Sequence, residues 1–318
     1  MPQREGSPFT GLATVALKEA ADHMTSARIH LVMLLVLLTA IGAVYAAIGQ
    51  ISQTVSEDQF LFLRLLTTAQ EPLPSFVAFL GFLLPLVAIA LGFDAINGEY
   101  NRRTMSRILS QPIYRDALLT GKFLGCLLVI AQCLLVLWLL VIGLGILLLG
   151  LPPSGEEILR GLAFLLASFV YAGVWLGVAM VFSTIFRSPA TSALATLTVW
   201  LLFTIFWPML SPLIAGAVVP VDPFDPMTAV NQVEVQRAIA RISPNTLFGE
   251  MTLAILNPET RSLGIVFANQ LSQAVIGAPL PVSQSLMLIW PQLCCMIAAL
   301  LVLFTGAYVS FQRQEIRA

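Results

Sequence analysis

The chain reads as an all-α, polytopic membrane protein with six transmembrane helices, and three observations predict this. Of its 318 residues 58% are hydrophobic and only 10% charged, where a soluble domain carries roughly 25% charged. Six apolar runs are each long enough to cross a bilayer, which takes about 20 residues of helix. The remaining charge is gathered rather than scattered: Arg102, Arg103, Arg107, Arg115 and Lys122, five of sixteen Lys and Arg, lie in one polar island over 97–122. A soluble helical protein is excluded because its helices keep a polar face, and these runs have none.

The leader, 1–28, predicts a cytoplasmic N-terminal amphipathic helix. Leu12, Val15 and Ala16 recur at helical spacing, with Lys18, Glu19 and Asp22 elsewhere around it. Such a helix either lies along the inner membrane surface or is simply solvated. The first span, 29–48, begins too late and runs too long for a secretory signal. The second, 76–96, ends at the polar island. The third, 123–149, holds about 27 apolar residues, roughly 40 Å of helix, so it tilts or projects beyond the lipid. The fourth, 162–186, carries Gly173 and Gly177 as a G-x-x-x-G, which suits close helix packing within the subunit. The fifth, 190–219, contains Pro208 and Pro212 and kinks or ends there. Trp138, Trp175 and Trp200 fall deep in their spans as packing residues.

Between spans five and six, 220–285 predicts an extracytoplasmic helical loop. A turn-rich opening, Pro220 to Pro226, precedes a helix with Val235, Ala238, Ile239 and Ile242 at helical spacing, ended by Pro244. A second short helix, 247–256, is closed by Asn257-Pro258, and 264–276 is apolar. The whole forms a small cap over the outer mouth. Span six and a cytoplasmic tail complete the chain over 286–318, while spans one to five, with the island at 97–122, occupy 29–219. With both termini inside, the cytoplasmic segments hold eleven Lys and Arg and the opposite side five, the bias that orients membrane proteins.

Much chemistry is missing. Gly121-Lys122 is followed by Phe123, so no P-loop cradles a nucleotide. There is no G-x-S-x-G, and His23 and His30 are the only histidines. Glu156-Glu157-Ile-Leu-Arg160 faintly resembles the paired glutamates of intramembrane prenyl-protein proteases, without a histidine downstream. No span carries an ionisable group well inside it, which disfavours ion coupling. Cys126, Cys133, Cys294 and Cys295 lie in spans without a C-x-x-C; they read as small buried hydrophobes ahead of a soft-metal path. The expectation is no catalytic residue, no metal and no cofactor in this chain. If the chain moves anything, its energy must then come from elsewhere, and a separate ATPase, with its ATP and Mg, docking on the island is the simplest source.

The island also carries a resemblance. Gly98-Glu99, Thr104, Leu109-Ser110-Gln111-Pro112-Ile113-Tyr114-Arg115 and the later Gly121-Lys122 resemble the signature of the type-2 ABC exporter permeases, G-E-x-x-x-G-T-x-x-x-L-L-S-x-P-I-x-R followed by G-K. Arg103 stands where that family usually has Gly, and Ile108 replaces the first Leu. Phe182 to Thr191, the short loop between spans four and five, is a second match. In overall look the chain is similar to the branch linked with multicopper enzyme maturation, including nitrous oxide reductase maturation permeases.

The resemblance implies a cytoplasmic coupling helix between spans two and three, with Glu99 at the inner gate. It implies an ATPase-coupling interface of Glu99, Arg102, Arg103, Thr104, Arg107, Ser110, Pro112, Arg115 and Lys122. The expected molecule is the permease subunit of an ABC exporter in a prokaryotic cytoplasmic membrane, with an ABC ATPase, a second copy of itself and the lipid as partners, and no nucleic acid. The alternative is a non-transporting anchor or mechanotransmitter, which passes the ATPase stroke to an extracytoplasmic protein at 220–285.

Overall fold

The computed structural model describes residues 11–51, 60–70, 73–104, 114–150, 152–263 and 279–314. Among them every regular element is helical, as long runs without a polar face demand: a bilayer leaves no partner for unpaired backbone groups. A short α1 (Leu12–Met24) precedes α2 (Ala27–Ile51), the first crossing. A small α3 (Leu61–Thr67) follows. The second crossing is α4 (Phe76–Gly92), continued by α5 (Asn97–Asn101); then come α6 (Arg115–Leu149) and α7 (Gly155–Ile185). The fifth crossing is α8 (Pro189–Leu201), a π-helical turn at Leu202–Phe206, and α9 (Trp207–Val218). Two further helices, α10 (Pro226–Ala240) and α11 (Pro244–Leu256), lead to the sixth crossing, α12 (Val282–Arg313). Arg107, Ser110, Pro112 and the apolar stretch 264–276 lie outside the described residues.

The third crossing starts at Arg115, eight residues before the apolar run. Asp116 and Lys122 therefore ride on the helix, where neighbouring helices rather than lipid receive them. At the centre stands α7, the most enclosed crossing, with Tyr171 and Trp175 fully buried. It packs on α12 through Gly177, where a Cβ would sit 3.0 Å from Leu303, and through Gly173, which Leu300 covers. The end of the bundle that holds α1 and the close of α12 is called the near end below, and the opposite one the far end.

The fifth crossing is interrupted by its π turn just before Pro208. In the π turn the Trp207 N–H reaches back to the Leu202 carbonyl. The Phe203 carbonyl would next pair with position 208, but Pro208 has no N–H to give. Ser243, in the turn between α10 and α11, donates its hydroxyl to that carbonyl at 3.0 Å. Of the two helices expected as an outer cover, α11 thus reaches into the bundle, whereas α10 has no buried residue. Phe248 of α11 stacks on Tyr171 with ring centroids 4.4 Å apart. The N1 position of α11 is Pro244, where a missing N–H costs nothing.

The Glu156-Glu157 pair with Arg160 builds the far end. Ser154 and Glu157 form a capping box on α7, and Glu157 Oε1 also accepts from Phe62 N of α3 at 2.8 Å. Arg160, fully buried, donates to Glu156 at 3.0 Å, to the Ile255 carbonyl at 2.8 Å, to Ser285 at 3.2 Å and to the Leu280 carbonyl. One guanidinium so ties α7 to the end of α11 and the start of α12.

Candidate functional site

The near end gathers the two stretches that resemble the permease signature. Ser183 of α7 accepts from Ile96 N at 3.0 Å and Asn97 N at 3.4 Å, the backbone donors where α4 ends. Asn97 then donates to the Phe186 carbonyl at 3.2 Å, and Asn101 to the Arg187 carbonyl at 2.9 Å. The break between α4 and α5 is held by the Ser183 side chain of α7 and, through Asn97 and Asn101, by backbone carbonyls of the loop between α7 and α8.

Lys122 organises the other side. It is 3% exposed and lies 2.8 Å from Glu19 of α1 and 3.1 Å from Glu99 of α5. Thr104 adds its hydroxyl to the same Glu99 carboxylate, and Lys18 approaches Glu19 at 3.1 Å. A buried ammonium needs partners of opposite charge, and here they come from two other helices. α1 reaches it because Gly121 and Gly125 leave a trough on α6. A Cβ at Gly121 would sit 2.7 Å from Val15, and one at Gly125 would sit 2.8 Å from the Ala16 carbonyl. The face of α1 that carries Val15 and Ala16 is buried against α6, while Leu17 is exposed. His23 of α1 lies 3.5 Å from the Cys126 sulfur, and burial lowers its pKa below the ordinary value. Arg28 pairs with Asp94 at 2.8 Å and rests over the Phe93 ring.

The expected interface residues divide. Glu99, Thr104 and Lys122 face inward and hold each other. Glu99 pairs with Lys122, while the turn after α5 leaves Arg102 and Arg103 exposed to solvent. Arg103 has φ 57°, the left-handed region in which glycine is favoured, so the Gly expected there from the resemblance has a backbone reason. Arg115 donates to the Gln314 carbonyl at 3.2 Å. Beside it, Asp116 accepts from Tyr308 at 2.9 Å and from Gln312, fastening α6 to α12. Asn97 and Asp116 were not singled out from sequence, Glu19 was noted only as a polar position of the leader, and Ser183 only as part of the second matched stretch. The Gly121-x-x-x-Gly125 spacing was a usable signal for α1; the others become visible only once distant helices meet.

This geometry can receive a push on an exposed basic turn and distribute it through polar contacts to α1, α6 and α7. The family model described as "ABC-2 family transporter protein" matches residues 13–316. The "Probable ABC transporter permease protein NosY" of Stutzerimonas stutzeri is 25% identical over 309 residues, covering 94% of this chain and 97% of that protein. The protein of the same name from Pseudomonas aeruginosa is 30% identical over 203 residues, 61% of this chain and 67% of its own length. The chain belongs to the ABC-2 transporter family: it is a multi-pass membrane subunit of an ABC transporter, and an ABC ATPase is its partner.

Proposed function

We propose that this ABC-2 family permease exports its substrate as a dimer of two copies with two ATPase subunits, both termini cytoplasmic. In this reading the near end is the cytoplasmic face, supported by the eleven-to-five distribution of Lys and Arg. Arg102 and Arg103 meet acidic groups on the ATPase. The Lys122 cluster makes α1, α5 and α6 move as one body when the ATPase closes. The observation that carries the reading is that single buried lysine, joined to carboxylates on two other elements beside an exposed basic turn. Catalysis of ATP hydrolysis belongs to the partner.

The test is co-purification of the ATPase together with its hydrolysis rate. Charge reversal at Arg102 and Arg103 together should weaken co-purification at least about tenfold and leave the melting temperature unchanged. Glu99→Gln should keep the ATPase bound but lower substrate-stimulated hydrolysis. Unchanged co-purification and hydrolysis in both would return the basic turn to a mere orienting role. A cysteine at Glu259 should react with a membrane-impermeant thiol reagent in intact cells; reaction only after lysis would reverse the orientation.

A second reading sends the same stroke to an extracytoplasmic protein. It is favoured by Arg160, which links α7 and α12 to the far-end loop through side-chain contacts. Uptake of a labelled compound into inverted vesicles separates it from export.

A further inference from the structure

The far end contains a cavity of about 860 Å³ that the coupling role leaves unused. It runs between α3, the start of α4, the π turn and α11. Its size lies within the range of small-molecule sites, roughly 300–1,000 Å³. Phe60, Phe82, Phe248 and Leu256 supply apolar walls. Arg64 and Glu259, both exposed, line its open side.

Three observations point to an occupant. Thr252 is 5% exposed, lines the cavity and has no hydrogen-bond partner for its hydroxyl among the described residues. The same holds for the Thr204 hydroxyl, freed beside the π turn. Buried polar groups are almost always paired, so two unpaired hydroxyls on residues that line one chamber are two groups a χ1 rotation can present to an occupant. Gly249 is the third. It lies in the middle of α11 and lines the cavity, and a Cβ placed on it would meet nothing within 4 Å. Glycine is the poorest helix former after proline, and among the described residues no neighbour requires its lack of a side chain. Gly249 is exposed, and the space beside it belongs to the open part of the chamber.

From these we infer that the cavity is a binding site for an amphipathic molecule, one with a hydrocarbon or aromatic body and a neutral hydroxyl or carbonyl at its buried end. Neutrality follows from the polar groups of the lining. Apart from Arg64 and Glu259 they are the Thr67, Ser75, Thr204 and Thr252 hydroxyls and the Asn245 and Asn257 amides, with Asn245 3.3 Å from the Tyr171 hydroxyl. None offers a counter-charge, and an unpaired ion at that depth is prohibitive. Any charged head belongs at the open side, beside Arg64. Two sources share this chemistry, a membrane lipid and a diffusible amphiphile.

The experiment uses the permease–ATPase complex without nucleotide, so its result is independent of the export reading. A diazirine-bearing long-chain primary alcohol is the probe, photolysed in detergent and in nanodiscs of defined phospholipid, with labelled residues mapped by mass spectrometry. Label should concentrate in 75–82 and 245–257. Gly249→Phe should reduce it there at least tenfold and leave labelling of the lipid-facing side of α2 unchanged, while Gly249→Ala retains it. Thr252→Val, nearly isosteric and so safe for folding, should reduce it about fivefold, the worth of one hydrogen bond. Suppression in nanodiscs relative to detergent identifies phospholipid as the occupant; equal labelling identifies a diffusible molecule. Wild-type labelling of both Gly249→Phe and Thr252→Val, or label spread equally over α2 and α11, overturns the site.

Discussion

The two ends of the bundle each enclose one buried cation, and they enclose it differently. At the near end Lys122 is met by carboxylates from two separate helices. At the far end Arg160 has one carboxylate, on its own helix, and otherwise backbone carbonyls and a serine hydroxyl. A guanidinium presents a fixed fork of donors, whereas an ammonium is a compact point charge on a flexible stem. The far end is therefore fastened by geometry and the near end by charge. Charge tolerates small changes of position that a fork of hydrogen bonds does not, and this suits the end proposed above to receive the ATPase.

The contrast predicts unequal responses to loss. Arg160→Met should be the largest, destabilising by about 3–5 kcal/mol, read as a fall in melting temperature of the purified complex. Adding Glu156→Gln should recover little, because the Ile255 and Leu280 carbonyls stay unpaired. Lys122→Met should cost about 2–4 kcal/mol, discounted because Glu19 and Glu99 keep 10% and 16% exposure. Here neutralising both partners, Glu19→Gln with Glu99→Gln, should restore most of the loss. Equal recovery at both ends would erase the distinction.

Smaller effects sharpen it. Arg103→Gly should raise stability by about 1 kcal/mol, since a left-handed backbone at a non-glycine residue costs about that much, while weakening ATPase co-purification. A lower melting temperature in that variant would show that the arginine side chain outweighs its backbone. The last test concerns His23. Burial depresses its folded pKa, so its neutral form belongs to the fold. Stability is then complete above the unfolded value, about 6.5, and declines as pH falls through it. The wild type should melt slightly lower at pH 5.5 than at pH 7.5, and His23→Gln should narrow that difference. A wild-type melting temperature that rises on acidification contradicts the sign.

Much of the fold was legible because bilayer crossing imposes length and apolarity together. The polar leader, the six crossings and the two helices after Pro226 can be read in order. The start of α6 could not, since Asp116 and Lys122 look like loop residues until Tyr308 and Glu19 supply their partners. The site was half legible. Glu99, Thr104 and Lys122 were recognised by resemblance, but their mutual pairing and the contribution of Glu19, 103 residues before Lys122, arise from helix packing that no local pattern encodes. The depth of α11 was hidden for the same reason: Ser243 and Phe203 are 40 residues apart.

The π turn in the fifth crossing has a rotary consequence. It holds one residue more than an α-helical turn of the same height, and each residue of α-helix corresponds to about 100° of rotation and 1.5 Å of rise. Expelling that residue would swing everything beyond Trp207 by about a third of a revolution, turning the exposed Met209 and Leu213 toward a different neighbour. Such an indexing step needs the Phe203 carbonyl released from its one side-chain contact, the Ser243 hydroxyl. The angular setting of α9 is thus registered by the two helices that follow it: Ser243 on the Phe203 carbonyl, the Trp207 indole on the Ile239 carbonyl at 3.0 Å and Gln232 on the Val219 carbonyl at 3.2 Å.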